Sequence, residues 1–164
     1  MRIIGFVLCW FSAFSFAQER KNTSISFVYQ LAKVESYPSI QINGQFWNAA
    51  TFESSVGVGL RTTVLQGRLF PQFSVGLGYN VLHSMSKKLQ LSPVVMSRFS
   101  GYRLSPQTRL NYIEGMGGYT LSFGERVRLV QSAFFGKGGE WDQNNELLAS
   151  FWTFSVNLGI GYVF

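Results

Sequence analysis

The sequence predicts an all-β fold, an eight-stranded antiparallel up-and-down transmembrane β-barrel, and three observations predict it. The first is composition. Of 164 residues, 46% are apolar and 16% aromatic but only 13% are charged, about half the charge of an average soluble domain, which excludes a disordered tail and a coiled coil. The second is that no segment beyond the N-terminus approaches 18 consecutive apolar residues, so a transmembrane helix is excluded although the chain stays apolar. The third is the strict period of two near the C-terminus. Phe154, Val156, Leu158, Ile160, Tyr162 and Phe164 share one parity, and Thr153, Ser155, Asn157, Gly159 and Gly161 the other. One face is wholly apolar, the other small enough for a narrow lumen, and closure of the sheet would satisfy every backbone hydrogen bond in lipid.

The first seventeen residues stand apart. Met1–Ala17 carries Arg2, the apolar run Ile3–Phe11 and the small residues Ser15 and Ala17, the pattern of a secretory signal peptide cleaved after Ala17. The run is short of the ~20 residues a membrane anchor needs. Cys9 follows Leu8, where a lipoprotein signal would have a small residue, so lipidation is not expected. Residues 18–164 then form one barrel domain of 147 residues, with 13 Lys+Arg against 8 Asp+Glu and no cysteine. An exported chain of this kind holds together without disulfides.

Eight strands follow: Ser24–Val34, Ile40–Phe46, Thr51–Thr63, Leu69–Leu82, Lys88–Ser100, Arg109–Phe123, Glu125–Phe135 and Phe151–Phe164. A tilted crossing of ~9–11 residues fits the available length, and an even number places both ends of the chain on the periplasmic side. Ser36-Tyr37-Pro38, Ser105-Pro106-Gln107 and Gly124-Glu125 punctuate the pattern, and Gly136–Asn145 reads as a long outer loop. For the second strand an alternative stands, because Asn43-Gly44 suits a tight hairpin turn that would shift strands two to five by one element. Outward parity covers Ile25, Phe27, Tyr29, Leu31, Val56, Val58, Leu60, Phe73, Val75, Leu77 and Tyr79. A soluble barrel would point the same residues inward. The companion face, Ser55, Gly57, Gly59, Ser74, Gly76, Gly78 and Asn80, is too small and uncharged for a water-facing surface.

The closing run Phe154-Ser-Val-Asn-Leu-Gly-Ile-Gly-Tyr-Val-Phe164 resembles the C-terminal strand of Gram-negative outer-membrane proteins. Val56-Gly-Val-Gly-Leu-Arg61 and Phe73-Ser-Val-Gly-Leu-Gly-Tyr79 likewise resemble strands of the small outer-membrane β-barrel domain family. The resemblance implies location in the outer membrane. It also implies that Tyr162 and Phe164 form the signal read by the barrel-assembly machinery, and that the partners include outer-membrane lipids and lipopolysaccharide.

Inward parity also gathers charges: Glu53, Arg61, Arg98, Glu114, Arg126 and Arg128. A lipid-facing charge would cost about 2–4 kcal/mol at the midplane, so the lumen is their expected place, and there they need partners. A turn near Ser105 sets Glu114 opposite Met96 and diagonal to Arg98, within cross-strand reach. Such a cluster reads either as a polar plug that stabilises a closed barrel or as a charge-lined pore or gate.

Catalysis has little to work with. The one histidine, His83, is followed by Ser84 with no acid beside them, and the His-x-Ser-Asn pattern of a lipid A deacylase is missing from the last two strands. Glu140-Trp141-Asp142-Gln143-Asn144-Asn145-Glu146 alternates oxygen ligands, but lacks the glycine of a calcium loop and reads as a solvated outer loop. Within it Trp141 suits an interface or a partner contact. Nucleic acid is not expected despite a pI near 9.7, because the basic residues are scattered and Lys87-Lys88 is too short a run. The sequence thus points to a monomeric outer-membrane barrel with a filled polar lumen, without cofactor or metal. Its expected role is structural, adhesive or accessory, with an envelope protein as a further partner. A narrow channel for small or hydrophobic solutes and a lipid-modifying enzyme are the alternatives.

Overall fold

The computed structural model describes residues 23–32, 36–47, 49–60, 69–82, 88–103 and 109–164. They form eight strands, β1 (Ser24–Ala32), β2 (Ser36–Trp47), β3 (Ala50–Leu60), β4 (Leu69–Tyr79), β5 (Leu89–Arg103), β6 (Arg109–Phe123), β7 (Val127–Trp141) and β8 (Leu147–Val163). Each pairs antiparallel with the next, and β1 closes on β8, so the sheet is an up-and-down barrel. The expected signal peptide, Met1–Ala17, together with Arg61, His83, Ser84, Lys87 and Ser105-Pro106-Gln107, lies outside the described residues.

Alternation sets the register at the closing seam. Phe27 pairs with Ile160, Tyr29 with Leu158 and Leu31 with Val156, while Ser26 pairs with Gly161, Val28 with Gly159 and Gln30 with Asn157. The first set is turned outward and exposed, and the second turned inward, because a slip by one residue would exchange the faces. Following the pairs from Ser24 through Asn43, Glu53, Gly76, Met96, Met116, Gly136 and Thr153 makes a full circuit of the barrel. That spiral is the stagger that tilted strands require before a sheet can close.

Three expected elements are corrected. β2 begins at Ser36 and takes in Tyr37 and Pro38, and Asn43-Gly44 is strand, not turn. Pro38 is tolerated because the β2–β3 ladder skips from Ser36↔Leu60 to Ser39↔Gly57, leaving its missing N–H where no bond is made. The expected outer loop Gly136–Asn145 is instead mostly strand, with β7 running to Trp141 and β8 starting at Leu147. Its turn spans only residues 142–146. There the Asp142 carboxylate accepts hydrogen bonds from the Asn144 and Glu146 amides, both at 2.8 Å, and Asn145 adopts φ 65°. At the other end Gly124, with φ 125°, turns β6 into β7, and β7 starts at Val127, two residues later than expected.

Candidate functional site

The lumen is where the polar side chains converge. Among the described residues, 21 buried side chains are polar or charged and 10 hydrophobic, while 28 large apolar side chains are exposed. This inverts the arrangement of a water-soluble protein.

In the half of the barrel away from the chain termini, Arg98 on β5 lies directly opposite Glu114 on β6. The cross-strand pair is therefore direct, and Met96 faces Met116, a two-residue correction to the expected alignment. The Arg98 Nε–H donates to Glu114 Oε2, and the Thr153 hydroxyl donates to Glu114 Oε1 at 2.6 Å. Arg98 Nη2 reaches Thr153 Oγ1 at 3.5 Å, and the guanidinium stands 5.7 Å from the Tyr37 ring centroid. Arg98 is 2% exposed and Glu114 6%. Gly138 makes room for this group, since a Cβ there would meet Glu114 Cγ and Phe151 Cε2, both at 2.8 Å.

Midway down, the lumen is bridged by hydroxyls and amides. Gln72 Nε2 donates to Gln30 Oε1 at 3.0 Å between β4 and β1, which are not neighbours, and the Ser55 and Ser74 hydroxyls share a hydrogen bond of 2.6 Å. One wall of the otherwise polar lumen is apolar. Val94, Met96, Met116 and Phe134 form a buried cluster on β5, β6 and β7. Gly118 lies in register between Val94 and Phe134, and a Cβ on it would meet Phe134 Cδ1 at 2.7 Å.

Toward the termini the Gln41 amide donates to Asn43 Oδ1 at 2.8 Å and to Glu53 Oε2 at 3.2 Å. The Thr120 hydroxyl on β6 shares a hydrogen bond of 2.9 Å with the Ser132 hydroxyl on β7. Arg128 is engaged separately, through Nη1 with Gln90 Oε1 at 2.8 Å and through Nε with the Gly124 carbonyl at 3.3 Å. Glu53 and Arg128 share one small cavity, lined also by Asn43, Thr51, Gln90 and Thr120.

The expected charge cluster is thus divided. Arg98 and Glu114 meet, and Glu53 and Arg128 lie in the other half of the lumen with separate partners. Arg126 is a correction: it stands exposed in the turn before β7, because inward parity means nothing beyond the barrel's end. Arg61 is outside the described residues. Trp141 is half-buried at the end of β7, paired with Leu147, and is not in a loop. Tyr162 and Phe164 are exposed beside each other, ring centroids 5.3 Å apart. Tyr37, Thr153, Gln30, Gln72, Gln41 and Gln90 contribute without having been singled out from sequence. The parity of β8 marks Thr153 as inward without giving it a partner, whereas Tyr37 is concealed by its neighbour Pro38.

No protein-family model matches the sequence, and no curated protein matches it. Among solved structures, the chain is similar to the N-terminal β-barrel domain of Pseudomonas aeruginosa OprF, with a TM-score of 0.57 and 14% identity over 88% of this chain and 98% of that domain. What the two share is the fold, a small closed barrel.

Proposed function

We propose that the protein is an integral outer-membrane barrel with an occluded lumen, exported through a cleaved signal peptide, which serves as a monomeric structural, adhesive or accessory component of a Gram-negative envelope and performs no catalysis. The inverted distribution of polarity carries this reading. Phe27 is 59% exposed, Leu77 60% and Val95 73%, on a surface that water would drive to aggregate and lipid would cover. Occlusion is supported by contacts that cross between non-adjacent strands, Gln30 to Gln72 and Arg98 to Thr153. The alternative of a narrow channel draws on the small cavity beside Glu53 and on the oxygens of Gln41 and Thr51 that have no hydrogen-bond partner among the described residues. A lipid-modifying enzyme would need His83 and Ser84, which lie outside the described residues.

Fractionation tests the location. The mature protein is expected with outer membranes, migrating differently on gels before and after heating. Recovery as a soluble periplasmic protein would reject the membrane reading. Planar-bilayer recording should show no discrete conductance steps, whereas steady channels would favour the alternative.

The closing strand gives a second expectation. Phe164 donates its amide to the Thr23 carbonyl at 3.0 Å, and Tyr162 pairs with Ile25, so the last residues complete the seam. Phe164→Ala should lower the amount of folded barrel in the membrane severalfold while leaving synthesis unchanged. Equal amounts of heat-modifiable protein would show that Phe164 is not an assembly signal.

A further inference from the structure

Two buried charges of opposite sign face one cavity without pairing with each other. Glu53 is 5% exposed and Arg128 6%, and both line the cavity in the half of the lumen near the chain termini. Among the described residues that line it, these two alone are ionisable. The ion pairs among the described residues lie elsewhere: Arg98–Glu114 in the other half of the lumen, and Lys88–Glu125, both exposed. Arg126 is exposed in the turn and does not line the cavity. Glu53 and Arg128 are thus each buried against neutral partners, Gln41 for the first and Gln90 and the Gly124 carbonyl for the second. A charge taken out of water without a counter-charge is costly.

Each group also keeps hydrogen-bonding capacity. Arg128 donates through Nη1 and Nε, while Nη2 donates to nothing among the described residues. Thr51 lies two residues before Glu53 on the same face of β3, and its buried Oγ1 has no hydrogen-bond partner among the described residues. A carboxylate beside a hydroxyl oxygen that needs a donor suits a positive group with several N–H bonds. The Nη2 donors suit an anionic oxygen. The two ends are ordered along the barrel. Arg128 is the second residue of β7, next to the turn at Gly124, and Glu53 is the fourth of β3, so Arg128 sits nearer the rim.

A lone cation would be repelled by Arg128 and a lone anion by Glu53, whereas an occupant with both charges meets a partner at each end. We propose that this cavity binds a small zwitterion, a primary ammonium joined by a short chain to a carboxylate or phosphate. The ammonium lies against Glu53 and Thr51, and the anionic group against Arg128. The Gln72–Gln30 hydrogen bond crosses the lumen further in, so the ligand enters and leaves by the same end. The inference goes beyond the structural or accessory reading by giving the barrel a ligand.

The test uses the full mature protein folded in micelles of an uncharged sugar detergent, with backbone amide chemical shifts as the readout. Free glycine, β-alanine and O-phosphoethanolamine are expected to give saturable shifts at Thr51, Glu53, Gln90 and Arg128. Ethylamine and acetate carry one charge each, and glycine betaine has an ammonium without N–H bonds. These three should bind at least about tenfold more weakly, because each lacks a charge-assisted hydrogen bond. Glu53→Gln and Arg128→Gln should weaken zwitterion binding by a similar factor, with gel migration confirming that they are folded. If a variant does not fold, the single-charge compounds decide on the unaltered protein. A lipid with an ethanolamine phosphate headgroup, set against lipids with glycerol phosphate and choline phosphate headgroups, separates the sources. Shifts with the ethanolamine lipid alone support the site and assign it to a headgroup, and shifts with the free compounds support it and assign it to a solute. No saturable shift from either source, equal binding of ethylamine, acetate or betaine, or shifts remote from the cavity would each overturn the proposal. Binding is read on folded protein in micelles, so its failure and failure of the outer-membrane fractionation are separate results.

Discussion

Arg98→Met is expected to destabilise the barrel by about 3–5 kcal/mol, and the double variant Arg98→Met with Glu114→Gln by distinctly less. The asymmetry follows from what each change leaves behind. Without the guanidinium, the Glu114 carboxylate keeps one donor, the Thr153 hydroxyl, in a site where it is 6% exposed. A buried carboxylate whose desolvation is no longer compensated costs more than a neutral pair of similar volume. Reversible urea unfolding of the folded protein in lipid vesicles measures each variant. The double-mutant cycle should give a coupling above ~0.5 kcal/mol, as groups in contact do. Additivity would mean that water screens the pair, and the occluded lumen would then have to be abandoned. Arg98→Lys is expected to fall between wild type and Arg98→Met, because an ammonium keeps the charge but cannot present a planar fork to both Glu114 and Thr153.

The parity of this pair was legible in the sequence because inward and outward residues alternate along the middle of β5 and β6. Alternation also sufficed for the number of strands and for the apolar exterior. It failed where a residue's local preference is overridden by its neighbours. Pro38 suggested a break, yet the ladder on its β3 side is interrupted where its N–H is missing. Gly136, Gly138 and Gly139 suggested a loop, but they are strand residues: a Cβ on Gly136 would meet the Gly115 carbonyl, and the missing side chains of Gly138 and Gly139 admit Glu114, Phe151, Trp141 and Leu147. The apolar wall was readable in principle, since Val94 and Met96 share the parity of Arg98, and Met116 that of Glu114. Contacts such as Gln30 with Gln72 were not readable, because 42 residues separate them and only closure of the barrel brings β1 across from β4.

Phe134→Ala is expected to cost about 3–5 kcal/mol, the usual loss for a buried aromatic ring, and yet leave the barrel non-conducting. The ring is 3% exposed and packs with Val94, Met96 and Met116, over the space that Gly118 leaves open. Its removal creates an apolar cavity on one wall, which β-strands locked into a closed ladder cannot collapse to fill. Passage along the lumen is a different matter. The Arg98–Glu114–Thr153 group lies on one side of this layer and the Glu53–Gln41 group on the other, while Gln30 and Gln72 still bridge the interior. Unfolding in vesicles measures the first effect and single-channel recording the second. A destabilised but silent variant fits a lumen sealed in several layers. Conductance from Phe134→Ala alone would place the seal in the apolar wall, and the polar contacts on either side would then be the lining of a channel that this one ring holds shut.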